Sequence, residues 1–273
     1  MTTLPPGPPI ARGHTAEIYA WQEGQVLKLF YEWCPPDWIQ REIQVGQVLV
    51  GSDLPTPRFI ENLQIDGRQG IVYTRVAGIS FLRLCAAKPW LIPRLARQFA
   101  DLHAQVHQLS GAGLPTVRDA LRHTIQRVEN LPPDLMQAVL QVLDRLPDQP
   151  GLCHYDFHPD QVLLTDQGPV IIDWMTACQG HPLADVARSA IIFTYFPLPL
   201  GNPLRRVLLD QGKKLFFRIY QNSYLRRYRT EHPQYTRQEL DEWLIPVAAG
   251  RLREDIPGER EPILAFLRRS LAQ

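Results

Sequence analysis

The sequence predicts an α+β fold in two parts, a small antiparallel sheet carrying one helix and then a larger, mostly helical part. Three observations carry this. The first third alternates short apolar runs with turn signals, the apolar spacing changes to threes and fours after Gly78, and one short strand pair interrupts the helical region near its middle. At 273 residues the chain is long enough for both parts and a substantial core. The boundary falls near Ala77–Gly78, giving parts 1–77 and 78–273.

The elements follow in order. "AEIYAW" and "QVLKLFY" read as strands joined at Glu23-Gly24. "PPDWIQREIQVGQVLV" reads as a helix entered through Pro35-Pro36-Asp37, with apolar Trp38, Ile39, Ile43 and Val45 to Val50. "RFIENLQIDGRQGIVYTRV" holds two strands around an Asp66-Gly67 turn. Beyond Gly78, Leu91, Leu95, Phe99, Leu102 and Val106 mark an amphipathic helix, and further helices are expected around 118–130 and 133–146. "QVLLT" and "PVIIDW" form a hairpin around Asp166-Gln167-Gly168, and helices fill the remainder.

Composition excludes several function classes. The chain is 45% hydrophobic and 21% charged, a globular balance, and its net charge of +1 gives no global attraction to nucleic acid or an anionic membrane. The basic run "YLRRYRTEH" reads as a solvated helix face. The four cysteines are scattered with no zinc-like spacing and no disulfide framework. "MTTLPPGPPI" has no signal-peptide pattern, and the longest apolar run, "SAIIFTYFPLPL", is too short to span a bilayer. A soluble cytoplasmic protein is expected.

The chemistry concentrates in "CHYDFHPDQVLL", Cys153 to Leu164. As a strand, it would set His154, Asp156, His158 and Asp160 on one face, a conceivable metal centre, although Pro159 argues against a central strand. Read by spacing, His154-x-Asp156 followed by Gln161 fits H-x-D-x-x-x-x-N with one substitution. In kinases that aspartate takes the proton of the acceptor hydroxyl and the asparagine holds magnesium. Asp173 ends an apolar strand twelve positions past Gln161, where a kinase places its principal magnesium carboxylate.

The segment "CHYDFHPDQVLLTDQGPVIIDWMTACQGHPLADVAR" resembles the catalytic segment of the aminoglycoside phosphotransferase / choline kinase family, through His154, Asp156, His158, Asp173, Trp174 and Asp185. The resemblance implies a bilobal protein-kinase-like fold and an ATP-dependent phosphotransferase acting on a hydroxyl of a small molecule. It implies Asp156 as catalytic base with His154 beside it, and Gln161 and Asp173 as Mg2+ ligands. Gly13, His14 and Thr15 would form the phosphate-covering loop, and Lys28 would pair with Glu42. Backbone groups of Thr74, Arg75 and Val76 would meet the adenine. Asp185 would brace the catalytic loop through backbone hydrogen bonds. His103 and His107, one helical turn apart, are a possible ligand pair but read as helix-surface or boundary residues. The expected partner is a small hydroxyl acceptor, with neither nucleic acid nor membrane, and the chain a monomer or weak dimer.

Three departures stand against the pattern: Gln161 replaces asparagine, Asp160 replaces a small glycine, and the phosphate loop carries a single glycine. They leave open a catalytically weak kinase-like module that binds a nucleotide or a partner. Choline would call for an aromatic cage, for which Trp174, Trp243, Tyr195 and Tyr220 are available. Aminoglycosides would call for carboxylates, as in Glu239 to Trp243 and Arg253 to Glu261.

Overall fold

The structure, a computed structural model, describes residues 7–195 and 203–272. In chain order it runs β1 (Ala11–Arg12), β2 (Ala16–Ala20), β3 (Gln25–Phe30), α1 (Pro36–Leu49), β4 (Phe59–Ile65), β5 (Arg68–Thr74), β6 (Ile79–Ser80), α2 (Phe81–Ala87), α3 (Ile92–Val106), α4 (Val117–Ile125) and α5 (Pro133–Arg145). It continues through β7 (Gly151–Cys153), β8 (Val162–Thr165), β9 (Gly168–Ile171), β10 (Cys178–Gly180), α6 (Pro182–Tyr195), α7 (Pro203–Glu231), α8 (Arg237–Arg251) and α9 (Arg260–Leu271). Two compact units result, neither of them one continuous stretch of chain. The first joins Met1–Ser80 to Gln161–Ala177, and the second joins Phe81–Asp160 to Cys178–Gln273.

The first unit is built on an antiparallel sheet of order β1-β2-β3-β5-β4. Asp66 and Gly67, both at positive φ (49° and 82°), make the β4–β5 turn, a backbone twist that suits a tight hairpin. Strand alternation divides β3 between two cores. Leu27 and Leu29 pack with Tyr19, Ile65 and Val72, whereas Phe30 packs with Ile39, Ile43 and Ile71. Lys28 shares the Phe30 face, towards α1. On α1 the buried stripe is Ile39, Glu42, Ile43, Val45, Gly46 and Leu49, while Trp38 and Val48, and Val50 just past its end, are exposed. A glutamate therefore lies within the apolar stripe, and the helix buries less than its apolar content suggests.

A second sheet of order β6-β8-β9 belongs to the same unit. It brings the backbone at Gly78 against β8: a Cβ there would stand 2.8 Å from the Leu164 carbonyl oxygen. Only glycine allows that approach.

In the second unit α3 lies against α7 and α6 against α8. Leu95, Phe99, Leu102 and Val106 are buried at the predicted spacing, while Leu91 falls in a 3-10 turn ahead of α3. Phe99 is the centre of an aromatic core, 4.2 Å from Phe157, 5.0 Å from Tyr220 and 5.4 Å from Phe216 between ring centroids. The boundary position expected for His103 is corrected here, because its imidazole is fully buried between this core and Asp185. The apolar run from Ser189 forms the end of α6 as far as Tyr195, and its remainder lies outside the described residues, as do Met1–Pro6 of the proline-rich start. No described helix is long and apolar enough to cross a membrane.

Candidate active site

In the first unit three charged side chains meet. Lys28 Nζ lies 2.8 and 2.9 Å from the two Glu42 carboxylate oxygens and 2.9 Å from Asp173 Oδ1. The sheet register explains the lysine, since β3 turns Lys28 to the face that α1 covers, and helical spacing puts Glu42 opposite it. Tyr73, on the same face of β5 as Ile71, donates its hydroxyl to Glu42 at 3.1 Å. Burial opposes the charge on Lys28, but Asp173 and Glu42 outweigh it and raise its pKa above that of an ordinary lysine. For Glu42 burial prevails over the neighbouring lysine, and its pKa is raised. The side chains of Lys28 and Glu42 are 11% and 3% exposed, that of Asp173 41%, so the cluster has one open corner, at Asp173.

The β8–β9 hairpin sets that corner. Val162 pairs with Ile171, and the Ile172 N–H donates to the Gln161 carbonyl at 2.9 Å, which brings Gln161 and Asp173 to the same end of the hairpin. Asp173 stands at φ 63°, a left-handed conformation that costs a non-glycine residue about 1–3 kcal/mol. The Trp174 indole, buried and donating to the Thr56 hydroxyl at 2.9 Å, and Met175 in the α1 core anchor the chain on its far side. Asp173 and Gln161 both offer hard oxygen donors, a set that fits Mg2+.

Gly13 and His14 are exposed and Thr15 is buried, in the tight turn from β1 to β2, where the Gly13 N–H donates to the Ala16 carbonyl at 2.9 Å. At the end of β5 the Thr74 N–H donates to Arg58 and the Arg75 N–H to Gly24, at 3.0 and 2.8 Å. Those two amides are therefore engaged within the protein, and an adenine would have to use carbonyl oxygens or Val76.

In the second unit the loop after β7 is organised by Asp185 at the start of α6. Its Oδ2 accepts the His154 N–H at 2.6 Å and its Oδ1 accepts the Tyr155 N–H at 2.9 Å. Tyr155 stands at φ 62°, a strained backbone position for a tyrosine. Burial opposes the charge of Asp185, but His103 and His107 beside it hold its carboxyl below the usual carboxylate range. His154 is 0% exposed, and its Nδ1 lies 3.4 Å from the Asp156 N–H. Asp156 is partly exposed, with His158 Nε2 3.5 Å from its Oδ2. Burial raises the Asp156 pKa, but His158, Arg188 and His154 outweigh it and leave the carboxyl below the ordinary value. Residues 154–160 form a loop and a 3-10 turn, so the single strand face required by a His154–Asp156–His158–Asp160 metal centre does not exist.

The profile of the phosphotransferase enzyme family (APH) matches residues 8–229. The chain belongs to this family. No curated protein matches the phosphotransferase by sequence. Among solved structures it is similar to an aminoglycoside-3'-phosphotransferase of type VIII, at 17% identity and a TM-score of 0.58, with 90% of each chain covered. It is also similar to aminoglycoside phosphotransferase APH(3'')-Id from Streptomyces rimosus, at 14% identity and a TM-score of 0.56, covering 89% of this chain and 92% of the other. A third is ADP-bound aminoglycoside phosphotransferase APH(2'')-Ib, at 12% identity and a TM-score of 0.55, covering 96% and 90%. The fold is the kinase-like α+β fold that the sequence implies, with an antiparallel sheet in one unit and a mostly helical second unit.

Two residues of this phosphotransferase escape a motif reading. Tyr73 is legible only through strand alternation. Arg188 lies one helical turn past Asp185, donates its Nε to the Tyr155 carbonyl at 3.3 Å and pairs with Glu254 at 2.7 Å. Several of the residues considered for acceptor binding are engaged elsewhere. Trp243 and Tyr220 are core, Glu239 closes a capping box with Thr236, and Glu254 and Glu259 are paired with Arg251.

Proposed function

We propose that this phosphotransferase moves the terminal phosphate of ATP to a hydroxyl of a small molecule. The observation that carries the reading is the Lys28–Glu42–Asp173 cluster, a buried lysine held by two carboxylates of which one is open. The solved structures it is similar to are named as aminoglycoside phosphotransferases, one of them ADP-bound, which supports nucleotide as donor and a small molecule as acceptor.

The roles follow from exposure and charge. Asp156, partly exposed and held ionised by His158 and Arg188, takes the proton of the acceptor hydroxyl. His154, wholly buried, holds the shape of the loop and does not touch the acceptor. Glu42 and Tyr73 hold the Lys28 ammonium where it can orient phosphate oxygens. Asp173 and Gln161 would hold magnesium, which when bound neutralises charge on the phosphates. The Gly13–Thr15 turn covers the phosphates, and the Thr74–Val76 strand end meets the adenine through carbonyl oxygens and Val76.

The test is ADP release from ATP against a panel of small hydroxyl compounds, for the parent and Asp173→Asn. Acceptor-dependent release that drops at least about a hundredfold in the variant is expected. Tight ADP binding without acceptor-dependent release on any compound would leave a nucleotide-binding module instead.

A further inference from the structure

His103 and His107, one turn apart on α3, both direct Nε2 at Asp185 Oδ2, at 3.1 and 3.2 Å. Among the described residues these three form the group able to hold a metal ion, with their ligand atoms all within 4.8 Å of one another. A tetrahedral ion about 2.0–2.1 Å from each donor sets donors about 3.3 Å apart, close to the separations from the carboxylate oxygen.

Three further observations point to a ligand. Each imidazole has its other nitrogen occupied: His103 Nδ1 lies 2.8 Å from the Tyr220 hydroxyl and His107 Nδ1 2.6 Å from that of Tyr224. Such outer partners fix the ring and turn Nε2 inward, the arrangement found around metal-bound histidines. His103 Nε2 is fully buried and, although 3.1 Å from Oδ2, is aligned with no hydrogen-bond partner. Finally, a cavity of about 380 Å³ lined by His107, Tyr224, Arg227, Tyr228 and His232 opens beside His107, the side from which an ion and a water as fourth ligand would approach.

We propose that His103, His107 and Asp185 form a binding site for a borderline divalent cation, zinc by preference, since two imidazoles and one carboxylate suit that ion. Asp185 keeps its hydrogen bonds to the His154 and Tyr155 amides while ligating, as ligating carboxylates commonly do. The ion ties α3 to the loop that carries Asp156. The site is independent of the magnesium ligands proposed for catalysis.

The experiment is a titration of chelator-stripped full-length protein with Co2+, followed by visible absorption, and then with Zn2+. One equivalent of Co2+ should give the intense bands of a four-coordinate ion, and Zn2+ should abolish them by displacement. His107→Gln, which retains a polar group towards Asp185, should weaken binding at least a hundredfold. Tyr224→Phe should weaken it about tenfold, while Asp173→Asn should leave the bands unchanged. The proposal falls if the parent shows no saturable bands, or if they survive in His107→Gln, or if they vanish with Asp173→Asn. Should His107→Gln fail to fold, the comparison of Tyr224→Phe with the parent decides, and equal affinity overturns the proposal.

Discussion

Lys28 and Asp173, 145 residues apart in the chain, meet at 2.9 Å. The contact makes one ammonium the shared partner of a helix carboxylate and a hairpin carboxylate. The lysine thus fixes the position of the residue proposed to hold magnesium, and the pairing of Lys28 with Glu42 is only half of its role.

Lys28→Met tests that sharing. The substitution leaves Glu42 buried without its cation, and removal of one partner of a buried pair costs about 3–5 kcal/mol. Urea unfolding should show a loss of that size. The double variant Lys28→Met, Glu42→Gln should recover much of it, because no buried charge then remains. A loss below about 1 kcal/mol for the single variant would mean that the pair is not desolvated.

Asp156→Asn should lower the chemical step about 10²–10⁴-fold while changing ADP affinity less than about threefold. Single-turnover kinetics and calorimetric ADP binding separate the two. Since its neighbours hold the Asp156 carboxyl below the ordinary carboxylate value, its protonation should produce no acid limb above the ordinary carboxylate range. An acid limb near neutrality that disappears in the variant would contradict the ionised state.

Gln161→Asn shortens the reach of the amide by one methylene without changing the donor. Magnesium tolerates little displacement, so a site adapted to glutamine should require more Mg2+, by about tenfold, for half-maximal turnover. An unchanged requirement would remove Gln161 from the ligand set.

His181 supplies a pH test of stability. Burial lowers its pKa to about 4 from 6.5, and its Nδ1 accepts the Leu183 N–H at 3.2 Å, which demands the neutral ring. The unfolded chain binds a proton below pH 6.5 that the folded chain refuses until about pH 4, so stability is fully present above 6.5 and falls as the pH drops through this window. The loss should reach about 3 kcal/mol. His181→Asn keeps an acceptor but cannot titrate, and the difference in unfolding free energy between parent and variant should follow that window. Parallel pH profiles would sink the assignment.

What the sequence makes legible is local. Asp66-Gly67 announces its own turn because the backbone there needs positive φ, and Leu95, Phe99, Leu102 and Val106 announce a buried face by spacing. His154, Asp156 and Asp173 are legible as a motif, and Lys28 and Glu42 as a pair placed by the strand and helix periods. The burial of His103 is not legible, because the hydroxyl that makes it tolerable, that of Tyr220, comes from 117 residues away. The positive φ of Tyr155 is equally hidden, since that residue type does not request it; its hydrogen bond to Asp185 and the packing around it impose it.

Asp185 also bears on how the molecule breathes. The amides of His154 and Tyr155 sit in a loop, where exchange of backbone hydrogen with solvent deuterium is ordinarily fast. Here both donate to one buried carboxylate that is anchored on α6 and crossed by two histidines of α3. To release either proton, the loop must part from a carboxylate that the α3 histidines also hold. These two amides should therefore exchange as slowly as the helix interiors around them, and the backbone ahead of Asp156 belongs, in its fluctuations, to the core.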